Sequence, residues 1–148
     1  MAAVTVPAEY GYVLLATVST FFVNTYHVVL TSKHRKASGI KYPVTYATEE
    51  QAAKDPKAFA FNCAQRAHAN FTETLTPAVG AILIAGLRFP LAAAGLGAVW
   101  SVARAAYASG YAAYGPQARQ KGGIPSTIAL FSLYLTAAYS AISFVLEK

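Results

Sequence analysis

The sequence predicts an all-α integral-membrane protein, a four-helix bundle in which successive helices run up and down. Hydrophobic residues make up 55% of its 148 residues and charged residues only 12%, whereas a soluble domain has about 25% charged residues. The charges are also unevenly distributed, because residues 10–30 form a charge-free run of 21 residues and residues 122–146 form one of 25. Each run is long enough to cross a bilayer as a helix, which takes about 20 apolar residues.

The first two spans are predicted over residues 10–31 and 66–87. A polar connection, residues 32–55, joins them and contains helix breakers such as Gly39. The second span is the membrane part of a longer helix that begins at Asp55-Pro56, because Asp is a good N-cap and Pro is favoured at the first helical position.

The last two spans are predicted over residues 90–114 and 124–146. Pro90 opens the third helix, Gly115-Pro116 ends it, and Pro125 opens the fourth after a short loop, residues 115–123. The pattern contains no strand and no internal repeat, so residues 1–148 are expected to form a single membrane domain.

The distribution of basic residues predicts the orientation. With four spans, the connections 32–55 and 115–123 lie on the same side of the membrane. That side and its flanks contain most of the cations: Lys33, Arg35, Lys36, Lys41, Lys54, Lys57, Arg119 and Lys121. The positive-inside rule places these connections in the cytosol and both termini on the opposite side.

Several protein classes are disfavoured by composition. A single cysteine, Cys63, excludes an intrachain disulfide. The first apolar run follows Glu9, has no basic segment before it and is too long for a signal peptide. The net charge of +6 lies in connections beside spans, so we interpret it as a topology determinant and a source of anion ligands.

A polar stripe on the second helix is the first candidate site. At about 100° per residue, Arg66, Asn70 and Glu73 fall within roughly 60° of one another on one helix face. Such groups at the edge of hydrocarbon are tolerated when they face the bundle interior and satisfy one another, and they mark functional sites by default. The alternative is that Arg66 and Glu73 form a purely structural pair.

The third helix contains a second stripe at the same depth. Arg104, Tyr107, Tyr111 and Tyr114 lie within about 80° of one another on one face, with Gly110 beside them to allow close backbone approach. The alternatives are that the tyrosines form an interfacial aromatic belt and that Arg104 extends its side chain to the lipid headgroups.

The two stripes together suit a small anionic or zwitterionic peptide. Arginine binds carboxylates bidentately, and a carboxylate such as Glu73 can hold a ligand ammonium. A nearby arginine also lowers the pKa of a bound thiol. His68 lacks a second ligand at metal-binding spacing, so no metal site is predicted, and it is more typical of a polar rim residue.

These residues resemble those of the membrane-associated proteins in eicosanoid and glutathione metabolism, most of all the type-3 microsomal glutathione transferases. The resemblance rests on residues 61–70 followed by Glu73, and on residues 104–111. It extends to residues 9–11 and to Tyr42-Pro43, so that it covers nearly the whole chain.

The resemblance implies a homotrimer with glutathione bound between neighbouring subunits. It assigns glutathione binding to nine positions: Arg35, Lys36, Arg66, His68, Asn70, Glu73, Arg104, Tyr107 and Tyr111. Arg119 matches the arginine that stabilises the glutathione thiolate, and Arg104 is assigned to catalysis as well. Thr74 replaces a tyrosine of leukotriene C4 synthase, which argues against leukotriene synthesis more than against glutathione binding.

The resulting prediction is a membrane glutathione transferase that conjugates glutathione, as co-substrate, to lipophilic electrophiles. Glutathione-dependent reduction of lipid hydroperoxides is expected as a further activity. The expected partners are glutathione, a lipophilic electrophile or lipid hydroperoxide, membrane lipids and two further copies of the chain, with no nucleic acid and no metal. A non-catalytic lipid-binding scaffold and a leukotriene C4 synthase-like enzyme are the alternatives. The expected location is the endoplasmic reticulum membrane, with the outer mitochondrial membrane as the alternative.

Overall fold

A computed structural model describes residues 6–147, and within them all regular structure is helical. Four long helices and one short helix follow one another along the chain. They are α1 (Tyr10–Ser38), α2 (Glu49–Lys54), α3 (Pro56–Gly86), α4 (Pro90–Tyr114) and α5 (Gln120–Leu146). The short helix α2 lies within the connection that was predicted to be irregular.

The long helices alternate in direction. The start of α1 meets the end of α3, where the Tyr10 hydroxyl donates a hydrogen bond of 3.0 Å to the carbonyl oxygen of Leu83. At the same end, Arg88 in the turn between α3 and α4 pairs with Glu147 at the end of α5. The connection after α1, the helix α2 and the turn between α4 and α5 therefore lie together at the opposite end.

Helix α1 exposes most of its large apolar side chains and buries several polar ones, the reverse of a helix in a water-soluble protein. Leu15, Phe22 and Val29 are exposed, whereas Thr20 and His27 on the inner face are buried. A water-soluble helix hides its apolar face, so a helix that hides its polar face is typical of a protein surrounded by lipid. Within residues 6–147, three helices, α1, α4 and α5, are long and apolar enough to cross a membrane.

Helix α3 is the longest helix, with 31 residues, and it contains the charged residues Lys57, Arg66 and Glu73. It begins as predicted, with Pro56 at its start and the Asp55 side chain accepting a hydrogen bond from the Lys57 backbone N–H. The helix continues through Pro77 to Gly86. That α3 also spans the membrane, which would make four spans, stays a prediction.

The helix boundaries near the polar connections differ from the prediction. Helix α1 continues to Ser38, well beyond residue 31, and ends where Gly39 adopts a left-handed conformation with φ of 69°. Helix α2 begins with a capping box, in which Thr48 and Gln51 satisfy one another's backbone N–H groups. This pairing explains why a helix of six residues forms in a segment without apolar periodicity.

Pro125 does not open the last helix, as the sequence suggested, but lies inside α5, which begins at Gln120. The earlier start is explained by Gly122, which is buried against α4. A Cβ atom at position 122 would lie 2.3 Å from the Tyr107 backbone nitrogen and 2.4 Å from the Ala103 carbonyl oxygen. The missing side chain therefore lets the first turn of α5 pack directly on the α4 backbone.

The close approach of α4 and α5 gives a test with a matched control. Gly122→Ala should abolish folding into a monodisperse protein, because its Cβ meets backbone atoms that cannot move aside. Gly95→Ala, in α4, should be tolerated or stabilising by up to about 1 kcal/mol, since a Cβ there meets nothing within 4 Å. Size-exclusion profiles and thermal unfolding of both variants in detergent measure the difference. Equal behaviour of the two variants would contradict the packing described.

Candidate functional site

A chain of hydrogen bonds joins the two predicted polar stripes. On α3, an Arg66 Nη atom lies 3.2 Å from Glu73 Oε1, and Asn70 Nδ2 donates to Glu73 Oε2 at 3.1 Å. From α4, an Arg104 Nη atom donates to Asn70 Oδ1 at 3.0 Å. Arg66, Glu73, Asn70 and Arg104 thus form one network, which we call the polar network. The sequence spacing brought the α3 residues together, and the packing of α4 adds Arg104.

The polar network runs from the surface into the interior. The side chains of Arg66 and Glu73 are 51% and 52% exposed, whereas Arg104 is only 5% exposed. An ion pair this exposed contributes little to stability, so its groups remain available to a ligand. Arg104, by contrast, points inward to Asn70, which is the opposite of an arginine that reaches for lipid headgroups.

Two tyrosines connect Arg104 with the start of α5. The Arg104 guanidinium carbon lies 4.5 Å from the centre of the Tyr107 ring, and the Tyr107 and Tyr111 rings meet edge to face at 5.8 Å. The Arg119 guanidinium carbon lies 5.3 Å from the centre of the Tyr111 ring. Tyr107 and Tyr111 are buried, so they do not form an interfacial belt, whereas Tyr114 is 83% exposed and lies outside the arrangement.

Arg119 begins the last helix rather than lying in an irregular loop. It occupies the N-cap position of α5 with helical backbone angles. Its side chain borders a cavity of about 290 Å³ between α4 and α5. The remaining lining residues are mostly uncharged: Tyr107, Gln120, Gly123, Ile124, Thr127 and Ile128.

A second cavity, of about 500 Å³, opens beside Arg66. Its walls come from the connection and α2 on one side and from α3 and α4 on the other. It is lined by Tyr46, Glu49, Ala52, Ala53, Phe59, Asn62, Cys63, Arg66, Tyr111 and Pro116. Tyr107 borders the first cavity and Tyr111 the second, so the pair of tyrosines forms the partition between them.

The wall formed by the connection is fixed to the long helices by two side chains. Asn62 of α3 accepts a hydrogen bond from the Ala47 N–H at 2.8 Å and donates one to its carbonyl at 2.9 Å. Arg35 of α1 donates to the carbonyls of Ile40 and Val44, at 3.5 and 2.7 Å. These bonds hold Tyr46 and Glu49 in place opposite Arg66.

Three predicted ligand residues lie apart from the polar network within one chain. The guanidinium of Arg35 is buried between the Tyr42 and Phe61 rings, at 4.3 and 4.5 Å. Lys36 borders a separate cavity with Arg35 and Tyr42. The ring of His68 faces that of His27 at 5.8 Å.

Sequence reasoning missed three residues at or beside the site. Tyr46 and Glu49 were missed because nothing in the connection indicated that it folds back onto α3. His27 was missed because a lone histidine in an apolar run has no motif around it. A periodic polar stripe on α1, which includes Thr20, Asn24 and His27 at intervals of three to four residues, was nevertheless present in the sequence.

The arrangement is suited to holding a carboxylated ligand next to an apolar groove. Arg66 and Arg104 supply fork-shaped donors for carboxylates, and Glu73 and Asn70 supply acceptors for an ammonium or amide. Arg119 adds a positive charge at the mouth of a largely apolar cavity. A charge at that place stabilises an anion that forms there.

Comparison with protein families assigns most of the chain to a known family. The MAPEG family, the membrane-associated proteins in eicosanoid and glutathione metabolism, matches residues 13–139. The matched region includes the polar network, both tyrosines and Arg119. This family includes glutathione transferases and related proteins, and its members use glutathione. Because the match covers most of the 148 residues, the chain belongs to the MAPEG family.

Proposed function

We propose that this protein is an integral-membrane glutathione transferase that also reduces lipid hydroperoxides with glutathione. The observation that supports the proposal best is the polar network, which places two arginines, an amide and a carboxylate side by side on α3 and α4. Glutathione has two carboxylates, one ammonium and amide groups, and each of these finds a complementary group in this set, whereas the thiol is assigned to Arg119.

The outer pair of the network provides the first contacts in this proposal. Arg66 binds a glutathione carboxylate and Glu73 the ammonium, because both side chains are half exposed and can exchange their mutual pairing for the ligand. Arg104, at the buried end of the polar network, holds the second carboxylate or a peptide carbonyl. The two tyrosine hydroxyls complete the donors, since Tyr107 and Tyr111 lie between Arg104 and Arg119.

Arg119 performs the chemical activation in this proposal. Its positive charge favours the thiolate of bound glutathione over the thiol, and the thiolate is the nucleophile. The cavity that Arg119 borders is lined on its α5 side by Ile124 and Ile128, which are exposed toward the lipid. A hydrophobic electrophile or lipid hydroperoxide can enter from the bilayer along this wall and meet the sulfur beside Arg119.

The site is incomplete on its outward side, which supports assembly into the predicted homotrimer. Arg66 and Glu73 face outward from the single chain, and a neighbouring subunit would cover them. In such an assembly, Lys36 of α1 approaches the site of the adjacent copy. Arg35 acts indirectly in this proposal, because its guanidinium is already bound to the connection. The endoplasmic reticulum membrane remains the proposed location.

A non-catalytic scaffold of the same family is the second candidate. It would use the apolar cavities to hold a lipid and would have no need of a cation aimed at a thiol. The presence of both Arg104, within the polar network, and Arg119, at the mouth of the apolar cavity, favours the enzyme. Equilibrium glutathione binding to the purified protein, with thiolate absorbance recorded in the same titration, distinguishes the enzyme from the scaffold.

The first test measures glutathione affinity. Arg66→Ala should weaken glutathione binding by roughly tenfold or more, because a hydrogen bond to a charged group contributes about 1.5–3 kcal/mol. Lys57→Ala, nine residues earlier on the same helix, is the matched control and should bind normally. Calorimetric titration of detergent-purified protein with an intact oligomer gives both values. Normal affinity in Arg66→Ala would remove this residue from the site.

The second test concerns topology. In a background without the native thiol, Cys63→Ala, a cysteine at Lys121 should react with a membrane-impermeant maleimide from the cytosolic face of sealed microsomes. A cysteine at Glu147 should react only after the membrane is permeabilised, because the two positions lie at opposite ends of the alternating helices. Labelling of both positions from the same face would contradict the four-span arrangement.

The third test separates binding from chemistry. Arg119→Ala should lower kcat more than it weakens glutathione binding, because a charge that acts on the developing thiolate affects the reaction more than the ground state. The pKa of the bound thiol should rise, so the rate should recover as the pH increases. Arg104→Ala should instead lose affinity and rate together.

The measurement is the thiolate spectrum and the conjugation of an aryl halide across pH. Lys121→Ala is the matched control, since it removes a cation two residues further along α5 that does not border the same cavity. A full thiolate spectrum and normal turnover in Arg119→Ala would disprove its assignment to activation.

A further inference from the structure

The interior of the helix bundle contains a group of buried polar atoms that no other protein group satisfies. Among the described residues, four buried side-chain nitrogen and oxygen atoms have no hydrogen-bond partner. They are Asn24 Oδ1, both ring nitrogens of His27, and Arg104 Nε. A buried polar atom without a partner costs about 1–3 kcal/mol. Four such atoms on neighbouring helices therefore require an explanation.

His27 is held firmly in this interior. Its side chain is only 1% exposed, and its ring stacks on Phe71 of α3 with 4.5 Å between the ring centres. The ring of His68 lies on it as well, at 5.8 Å. Because aromatic neighbours fix the ring, its nitrogens cannot turn outward to find water or lipid headgroups.

Arg104 meets the same Phe71 ring from α4. Its guanidinium carbon lies 5.9 Å from the centre of that ring. One Nη atom donates to Asn70 and the guanidinium lies over Tyr107, but Nε is buried and has no partner. Phe71 of α3 is thus a neighbour of both side chains, the His27 ring from α1 and the Arg104 guanidinium from α4.

The free atoms are complementary in their hydrogen-bonding chemistry. Arg104 Nε can only donate, Asn24 Oδ1 can only accept, and a neutral imidazole offers one acceptor and one donor. Asn24 precedes His27 by three residues, so both lie on the inner face of α1. A buried water typically makes two to four hydrogen bonds to groups of this kind.

We propose that an ordered water molecule joins Arg104 Nε, Asn24 Oδ1 and a ring nitrogen of His27, and that His27 is thereby a positioning residue for Arg104. The water accepts from Nε and donates to Asn24 and to the imidazole. Since the guanidinium is planar, fixing Nε also fixes the direction of the Nη atom that holds Asn70. The effect on glutathione rests on the proposed function, whereas the coupling of His27 to Arg104 does not.

The first experiment tests the coupling without any ligand. His27→Phe keeps an aromatic ring to stack on Phe71 but removes both nitrogens, and Arg104→Met removes the Nε donor. The melting temperatures of the two single variants and the double variant in detergent should be non-additive by about 2–4 °C for a protein of this size. Thr20→Val is the matched control, because Thr20 is equally buried on α1 and its hydroxyl donates to Thr17 within the same helix. Its combination with Arg104→Met should be additive.

The second experiment measures glutathione affinity in the same variants. His27→Phe should weaken binding by roughly tenfold, the size of one hydrogen bond to a charged group. His27→Gln keeps a donor and an acceptor but no ring, and it should restore most of the affinity.

The outcomes distinguish the two proposals. Additive changes in melting temperature for His27→Phe and Arg104→Met would overturn the inference. Equal losses of glutathione affinity in His27→Phe and His27→Gln would overturn it as well. Non-additive temperatures in a protein that binds no glutathione would support the coupling and reject the proposed function. Density for a water bound to His27, in an experimental structure that resolves solvent, would support the inference directly, and an apolar void at that place would overturn it.

Discussion

A polar group surrounded by hydrocarbon has to find its partner inside the protein, and the remainder of the structure depends on how this chain meets that requirement. The hydrogen bond from Arg104 to Asn70 is the central case. It joins the buried Arg104 of α4 to the partly buried Asn70 of α3, and Asn70 is hydrogen-bonded in turn to Glu73, which pairs with Arg66. The same requirement explains why α1 buries Thr17, Thr20, Thr31 and His27, whereas most of its large apolar side chains, such as Leu15, Phe22 and Val29, are exposed.

Polar partners can meet only where the helices approach closely, and small residues provide that approach. Alanines and glycines occupy most of the buried positions on α3 and α4, including Ala78, Ala81 and Gly97. Gly122 extends the same principle to α5, whose first turn rests on the backbone of Tyr107. That contact sets the position of Arg119 relative to Tyr111, because Arg119 precedes Gly122 by less than one turn. The guanidinium at the mouth of the cavity is therefore positioned by a residue without a side chain.

The sequence predicted the features that depend on local chemistry. The starts of α3 and α4 followed from Asp55-Pro56 and Pro90, and helical periodicity placed Arg66, Asn70 and Glu73 on one face and Arg104 with two tyrosines on another. Which atoms pair across helices was beyond local reasoning. The capping box of Thr48 and Gln51 was present in the sequence. That α2 lines a cavity beside Arg66, however, depends on Asn62, which holds the connection against α3. In the same way, periodicity places Arg35 on the inner face of α1, whereas its position between Tyr42 and Phe61 depends on a loop fold that no local pattern encodes.

The two arginines nearest the tyrosines differ in a way that suits different tasks. Arg104 is buried, hydrogen-bonded and stacked on Tyr107, so its position is fixed by the protein before any ligand arrives. Arg119 is exposed, begins a helix, lies over the face of the Tyr111 ring and borders the same cavity as Tyr107. A fixed donor lowers the entropy lost when a ligand is bound, whereas an exposed cation on a helix terminus can move toward a charge as that charge develops. The proposed division into a binding Arg104 and an activating Arg119 is therefore consistent with the burial of the first and the exposure of the second, and Tyr107 and Tyr111 lie between the two side chains.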